Sequence, residues 1–345
     1  MIKFDSLIVL LFIVASVSPT LVHSKELFAG HAAYDVYMPH HSKKTKVNVF
    51  YPTHEGGKRT LFGGGPTFKK ITVIEEAKIA GEKLPLVLYS HDWDGGLGPQ
   101  SWITADLAAR GAITVHVDHI NSLWGQNNVA EALKHWTRVD DLNVVLEFVL
   151  NSEFSKYIDV SGIMVIGFGE GGLTALVAGG AKANLAAVIE ACQRHREKMR
   201  YCEEMLSKDV DLPNFNPQKW NASYKLENVS SVAVIEPSLA FGFGNKQVED
   251  LVENVTLFSF KNGSHFDIAT DIDASGLAQA LPNSTRINFN PAYRFSAALE
   301  CQQGAEAKLA EQGRYPVCTD PVGSNRNMIH KKIIDVLARK LSIYQ

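Results

Sequence analysis

The sequence has neither a strong charge of one sign nor many cysteines. Its 345 residues include 34 basic and 37 acidic side chains, which leaves a formal net charge of -3. Proteins that hold nucleic acid usually present a basic surface, so we expect no nucleic-acid partner. Four cysteines are too few for a small disulfide scaffold. With 46% hydrophobic and 21% charged residues, the composition also excludes a disordered, collagenous or coiled-coil chain and predicts one or two packed domains.

Long hydrophobic runs are also scarce. The run Leu7–Val17 follows Lys3, and Val22-His23-Ser24 offers small and medium residues to a signal peptidase. This run is too short to cross the roughly 30 Å of a hydrocarbon core, and no second long run occurs. We therefore expect residues 1–24 to be a removed secretion signal. Residues 25–345 are expected to form a single secreted, extracellular domain with no membrane span.

Secretion affects how the cysteines and the Asn-x-Ser/Thr sequons are interpreted. An oxidising lumen permits disulfides, and eukaryotic secretion adds glycans at Asn-x-Ser/Thr sequons. We predict the local disulfides Cys192–Cys202 and Cys301–Cys318, because the other connectivities would tie together segments about a hundred residues apart. The candidate glycosylation sites are Asn221, Asn228, Asn254, Asn262 and Asn283.

From residue 84 onward, apolar runs of strand length alternate with segments of helical spacing. A short strand pair, 34–38 and 47–51, and a glycine- and lysine-rich exposed excursion, 55–70, come before them. The predicted strands are Leu84–Tyr89, Ala112–Val117, Gly162–Gly167, Ser231–Ile235, Val255–Phe260 and Arg286–Phe289. The predicted helices are Trp102–Ala109, Val129–Leu150, Gly171–Ala178, Ala274–Leu281 and Met328–Ile343.

This alternation is typical of a parallel sheet that is covered by helices on both faces. We therefore predict an α/β fold with one open, doubly wound and mostly parallel sheet. Residues 193–228 contain aromatic residues and two sequons and interrupt the alternation. We expect them to form a lid-like insertion over the carboxyl edge of the sheet.

The carboxyl ends of the strands are where such a sheet binds its ligand. The segment Val165–Gly172 (VIGFGEGG) has the glycine spacing and strand-turn-helix setting of the nucleophile elbow G-x-S-x-G, with Gly169 in place of the serine. The alternative is a phosphate-binding loop, but the segment lacks the Lys-Ser/Thr of a P-loop and no acidic ribose ligand follows nearby. We favour the elbow and expect no cofactor.

These motifs together resemble the secreted dienelactone-hydrolase-like and platelet-activating-factor-acetylhydrolase-like branch of the α/β hydrolases. Lys83–His91 looks like the family's strand and oxyanion loop, with Asp92 where glycine is usual. Val117–His119 resembles its Asp-His-Pro-Gly segment, and Arg138–Leu142 resembles the helix before its elbow. The segment from Cys301 to the final helix resembles its C-terminal end. The resemblance covers the chain from the first core strand onward and implies an α/β-hydrolase fold with an insertion after the elbow helix.

Carried over position by position, the resemblance implies a degenerate catalytic triad. The nucleophile position is Gly169, and the histidine position is Arg294. The acid position falls at His265, with Asp267 as the substitute if the loop is shifted by two residues. We therefore expect no intact set of catalytic side chains.

Other groups near the same edge could still take part in chemistry. The oxyanion-type backbone N–H groups of Trp93 and Glu170 do not depend on side-chain identity. Glu170 could act as a nucleophile only from the wrong position of the turn. Histidines and carboxylates at strand ends could bind a metal, but their spacing is not that of a zinc site, so we predict none. The residues concerned are His91, His119, His265, Asp92, Asp94, Asp118 and Asp267.

The sequence leaves three functions open. The favoured one is a secreted glycoprotein that has lost hydrolase chemistry and binds an apolar small molecule or an extracellular protein. The second is an active carboxylic-ester or phospholipid acetyl-ester hydrolase that uses other residues. The third is a structural matrix or storage glycoprotein. The first and third are favoured because loss of a nucleophile alone lowers a reaction rate by several orders of magnitude.

Overall fold

One large sheet holds every named strand in the part of the chain that the structure describes. The structure is a computed structural model that describes residues 26–126, 128–262, 268–312 and 317–343. The strands are β1 (Phe28–Met38), β2 (Lys43–Thr53), β3 (Lys58–Phe62), β4 (Ile71–Glu75), β5 (Leu84–Ser90), β6 (Ile113–Val117), β7 (Ile158–Phe168), β8 (Val229–Ile235), β9 (Asn254–Asn262) and β10 (Thr285–Ala292). They lie in the order β10-β9-β8-β7-β5-β6-β2-β1-β4-β3.

The six strands β10, β9, β8, β7, β5 and β6 are parallel to one another. At the other end of the sheet, β2 pairs antiparallel with β6 and with β1, and β3 pairs antiparallel with β4. The helices are α1 (Ser101–Ala109), α2 (Val129–Ala132), α3 (His135–Leu150), α4 (Glu170–Ala178), α5 (Leu185–His195), α6 (Arg200–Ser207), α7 (Pro217–Trp220), α8 (Asn245–Val248), α9 (Leu277–Ala280), α10 (Ala305–Glu311) and α11 (Arg326–Lys340).

The core has two layers because successive strand residues face opposite sides of the sheet. Along β5, Leu86 and Leu88 pack in the layer that contains α3 and α4. Val87 and Tyr89 pack on the other face, in the layer that contains α1 and α11. Each such large side chain contributes about 1.5–3 kcal/mol when it is fully buried. The doubly wound, mostly parallel sheet predicted from the sequence is confirmed.

The order of the strands creates a switch point beside β5. The chain goes from β5 to β6 on one side and then places β7 on the other side. In the parallel pair of β5 and β7, Ser90 lies opposite Gly167. The loops that follow these two strands therefore meet outside the same edge of the sheet, where open α/β sheets bind ligands.

Three predicted elements differ from the structure. The excursion 55–70 contains the edge strand β3, whose residues are mostly exposed and polar, so that hydrophobicity gave no signal for it. The predicted helix Val129–Leu150 is split, because the backbone of Lys134 leaves the helical region. The predicted helix Ala274–Leu281 starts only at Leu277, because Gly276 adopts a left-handed φ of 82°.

The insertion 193–228 consists of α6, α7 and short 3-10 turns after the end of α5. Its Tyr201 and Trp220 are buried against the rest of the protein. Both predicted disulfides are present, each with a Cα–Cα distance of 5.5 Å. The bond Cys192–Cys202 joins α5 to α6 and so holds the insertion at its start.

Four of the five sequon asparagines are exposed: Asn221, Asn228, Asn254 and Asn283. The side chain of Asn262 lies outside the described residues, as does the predicted signal sequence 1–24. Among the helices of the described residues, none is both long and apolar enough to cross a membrane.

Candidate functional site

The turn between β7 and α4 has a backbone that few residues other than glycine adopt. Gly169 has φ 58° and ψ -119°. A Cβ atom on Gly167 would overlap the backbone of Gly171, and a Cβ atom on Gly171 would overlap the carbonyl of Ser90. These glycines therefore let the turn pass close to the end of β5. The strand-turn-helix arrangement predicted for this segment is present.

The carboxylate of Asp92 fills the space next to this turn. A Cβ atom on Gly169 would overlap it, so glycine is the residue that leaves room for Asp92. Asp92 Oδ1 accepts hydrogen bonds from the backbone N–H of Glu170 at 3.0 Å and from the hydroxyl of Tyr201 at 3.0 Å. The ring of Trp93 packs edge-on against Tyr201 with centroids 5.7 Å apart. The insertion thus closes over the carboxylate through Tyr201.

Arg294 approaches the same carboxylate from the segment after β10. Its guanidinium donates to Asp92 Oδ2, and the two side chains are only 7% and 12% exposed. The guanidinium also lies 5.5 Å from the centre of the Phe168 ring, at the end of β7. The position that the sequence assigns to a histidine is therefore occupied by the cation of a largely buried ion pair.

A second buried ion pair, Arg138 with Glu170, involves the residue that follows Gly169. Arg138 on α3 is buried and donates to Glu170 Oε2 at 3.3 Å, to Thr174 Oγ1 at 3.0 Å and to the carbonyl of His91. Burial raises the pKa of Glu170 to about 7, because desolvation outweighs the attraction of Arg138. Two carboxylates and two guanidiniums therefore meet around the turn with little access to water.

The raised pKa of Glu170 predicts a pH dependence of stability. Between the ordinary glutamate pKa of 4.5 and about 7, the folded state keeps a proton that the unfolded chain releases. The stabilising contribution is therefore complete below pH 4.5 and is lost as the pH rises to about 7. Glu170→Gln should flatten this loss, by on the order of 3 kcal/mol relative to the parent between these limits. Urea unfolding at a series of pH values measures it, and parallel profiles would contradict it.

A buried Ser-His-Asp arrangement lies behind the turn. Ser90 Oγ is 2.9 Å from His119 Nε2, and His119 Nδ1 is 2.7 Å from Asp141 Oδ2. Burial lowers the pKa of His119 to about 4, so the imidazole is neutral and can accept the serine proton. Ser90 is 0% exposed, however, and its hydroxyl also accepts from Arg138 at 3.3 Å. The serine therefore stands at the end of β5 but is buried, with no exposure to solvent.

Several candidate residues of the sequence analysis have other surroundings. His91 Nδ1 contacts the carbonyl of Asp92 at 2.7 Å, and its Nε2 accepts the backbone N–H of His119 at 2.9 Å. Asp118 Oδ1 lies 3.6 Å from His116 Nδ1. Asp94 Oδ1 accepts a hydrogen bond from the backbone N–H of Gly125. His265 and Asp267 lie outside the described residues.

Sequence reasoning assigned Arg294 to this site through the resemblance, but it missed the ion pair of Arg294 with Asp92 and the contact of Tyr201. Tyr201 and Arg294 are separated from Asp92 by 109 and 202 positions, so no local motif joins them. The one available signal was Asp92 itself, which stands where the resembled family has glycine. The pairing of Ser90 with His119 likewise depends on the neighbouring positions of β5 and β6.

The fold of this chain, but not its sequence, is similar to known proteins. No family model matches the sequence, and the search of curated proteins finds no match. The structure is similar to a ferulic acid esterase from Streptomyces cinnamoneus, with a TM-score of 0.52 and 12% identity over 93% of this chain and 90% of that one. The chain has an α/β-hydrolase fold. At this identity the likeness concerns the fold alone.

Two other esterase structures match less well. The esterase Est22 gives a TM-score of 0.47 and 11% identity over 92% of this chain and 82% of that one. An esterase from Pyrobaculum calidifontis gives 0.42 and 13%, over 89% and 86%. The chemistry of the chain has to be argued from its own residues.

Proposed function

We propose that this chain is a secreted glycoprotein that keeps the α/β-hydrolase fold, has lost hydrolase chemistry and acts by binding. The observation that supports the proposal is the ion pair of Asp92 and Arg294. If the resemblance assigns the positions correctly, it lies where a hydrolase of this fold needs a nucleophile and a general base. The degenerate triad that the resemblance implies is part of this proposal.

Each step of ester hydrolysis lacks a suitable group at this turn. Gly169 has no nucleophilic atom, and the guanidinium of Arg294 stays protonated near neutral pH and cannot accept a proton. The Glu170 N–H, which would stabilise an oxyanion, donates instead to the Asp92 carboxylate. An oxyanion formed there would face a negative charge. Loss of a nucleophile alone lowers kcat by about 10⁶ in a serine hydrolase.

The same contacts favour a binding surface that lies away from the turn at Gly169. Tyr201 and Trp93 are buried over the Asp92 carboxylate, so a ligand carbonyl has no room beside Gly169. An extracellular protein partner fits this arrangement better than an apolar small molecule at the centre. The two disulfides and the four exposed sequons support the secreted, glycosylated state. A structural or storage glycoprotein shares these features and differs in having no specific partner.

One observation favours the second candidate function, an active esterase. Ser90, His119 and Asp141 have the hydrogen-bond order of a catalytic triad. Hydrolysis from this position would require the loop after β5 to open and expose Ser90. Arg138 opposes such an opening, because it binds both the Ser90 hydroxyl and the His91 carbonyl.

A fluorophosphonate probe separates the two functions, because it forms a covalent bond only with an activated serine. We expect the secreted, glycosylated protein to remain unlabelled and to hydrolyse short aryl esters and acetylated phospholipid at the background rate. The Ser90→Ala variant serves as the matched control and should behave like the parent. Labelling that mass spectrometry assigns to Ser90, together with ester turnover that Ser90→Ala abolishes, would contradict the proposal and establish the esterase.

A further inference from the structure

Two histidines that the proposed function does not use converge on the buried carboxylate of Asp141. His40 Nε2 lies 2.9 Å and His41 Nε2 lies 3.3 Å from Asp141 Oδ1. We propose that His40, His41 and Asp141 form a binding site for a divalent transition-metal ion, for which Zn²⁺ is the best fit. The site is independent of the turn at Gly169 and would join the β1–β2 hairpin to α3.

The spacing of the ligand atoms suits a tetrahedral ion. Zinc binds imidazole nitrogen at about 2.0–2.1 Å and carboxylate oxygen at about 2.0–2.2 Å, which places neighbouring ligand atoms about 3.3 Å apart. The two observed nitrogen–oxygen distances, 2.9 and 3.3 Å, are close to this value, and all three ligand atoms lie within 4.8 Å of one another. Two imidazoles and one carboxylate exclude Mg²⁺ and Ca²⁺, which prefer oxygen ligands.

The chain holds these ligands in place from both sides. His40 and His41 belong to one 3-10 turn, Pro39–His41, that Ser42 closes in a left-handed conformation with its N–H donating to the Pro39 carbonyl at 3.1 Å. Asp141 is buried, and its second oxygen lies 2.7 Å from His119 Nδ1. Such a partner orients a ligating carboxylate in many metal sites.

The site is open to solvent on one side. The His40 side chain is 21% exposed, so an ion can enter beside it. Three protein ligands leave the fourth tetrahedral position for water. The other histidine cluster, around His91 and His116, is a poorer candidate, because both ring nitrogens of His91 already contact backbone groups.

Asparagine substitutions test whether the two histidines are metal ligands. Asparagine removes the ligating atom, because its amide nitrogen takes the position of histidine Nδ1, does not reach that of Nε2, and is a weak zinc ligand. In protein treated with a chelator, we expect ZnCl₂ to bind with one ion per chain in isothermal titration calorimetry and to raise the Tm. His40→Asn and His41→Asn should each weaken binding more than about 100-fold, because even partners outside the ligand set contribute about 10–100-fold.

His54→Asn is the matched control, because His54 is an exposed histidine just beyond β2 and outside the cluster. It should bind zinc like the parent. Co²⁺ should give the visible absorption of a tetrahedral site in the parent and not in the His40→Asn/His41→Asn double variant. Zinc should also protect His40 and His41, but not His54, from diethylpyrocarbonate, a measurement that needs no variant. Absence of stoichiometric binding in the parent, or equal binding by the double variant, would overturn the proposal.

Discussion

The Asp92→Ala variant is expected to lose about 3–5 kcal/mol of its free energy of unfolding. The substitution removes one member of a buried ion pair and leaves the Arg294 guanidinium without the carboxylate that it contacts. It also removes the acceptor of the Glu170 N–H and of the Tyr201 hydroxyl. Guanidinium chloride unfolding measures the effect, and the midpoint should fall while the slope stays the same.

Two further variants separate the buried pair from ordinary surface charge. Asp35 forms an ion pair with Lys46 at 2.8 Å, but the two side chains are 56% and 60% exposed. Asp35→Ala should therefore cost less than about 1 kcal/mol. Adding Arg294→Met to Asp92→Ala should recover part of the loss, because it removes the buried cation. Equal effects of Asp92→Ala and Asp35→Ala would mean that the carboxylate is solvated and that the site is open.

The fold could be predicted because its signals are local. Each central strand is a continuous apolar run, which follows from burial on both faces of a parallel sheet. The edge strand β3 has no such run, since three of its five residues are exposed and only Phe62 packs against a hydrophobic cluster. The break before His135 was also invisible, because no glycine or proline near Lys134 signals it.

The site could be predicted only in part, for a similar reason. The glycine spacing around Gly169 is local and indicated the turn. What fills the turn depends on distant contacts: Asp92 comes from the loop after β5, and Arg294 comes from the segment after β10. His40 and Asp141, which are 101 positions apart, show the same limit for the proposed metal site. Residue types at separate positions do not reveal that the fold brings them together.

The Gly169→Ser variant should be strongly destabilised, by about 4 kcal/mol. Its Cβ atom would overlap the Asp92 carboxylate, which adds about 1–3 kcal/mol of overpacking, and its φ of 58° with ψ of -119° adds about 1–3 kcal/mol of backbone strain. Gly65→Ser is the matched control, because Gly65 has a φ of 55° and a Cβ atom there would meet nothing within 4 Å. It should cost only about 1 kcal/mol.

A double-mutant cycle with Asp92→Gly tests whether that carboxylate is the obstacle. The combined variant should be more stable than the sum of the two single effects by about 2 kcal/mol, since the new hydroxyl occupies the space that the carboxylate leaves. Thermal unfolding of the parent, both single variants and the double variant gives this coupling. Additive effects would mean that Asp92 moves aside without cost and that glycine is there for another reason.

Variants at the same positions test which substitutions restore a reactive serine. Gly169→Ser alone should give no fluorophosphonate labelling, because the new serine has no imidazole base and Asp92 still accepts the Glu170 N–H. Labelling should appear only when Asp92→Gly frees that N–H and Arg294→His supplies a base, with His265→Asp added at the acid position that the resemblance implies. The order matters physically, because the acceptor beside such a serine is a carboxylate paired with a guanidinium, and a carboxylate is a weaker base than an imidazole. Labelling of Gly169→Ser with Asp92 and Arg294 in place would contradict this account of the lost reaction.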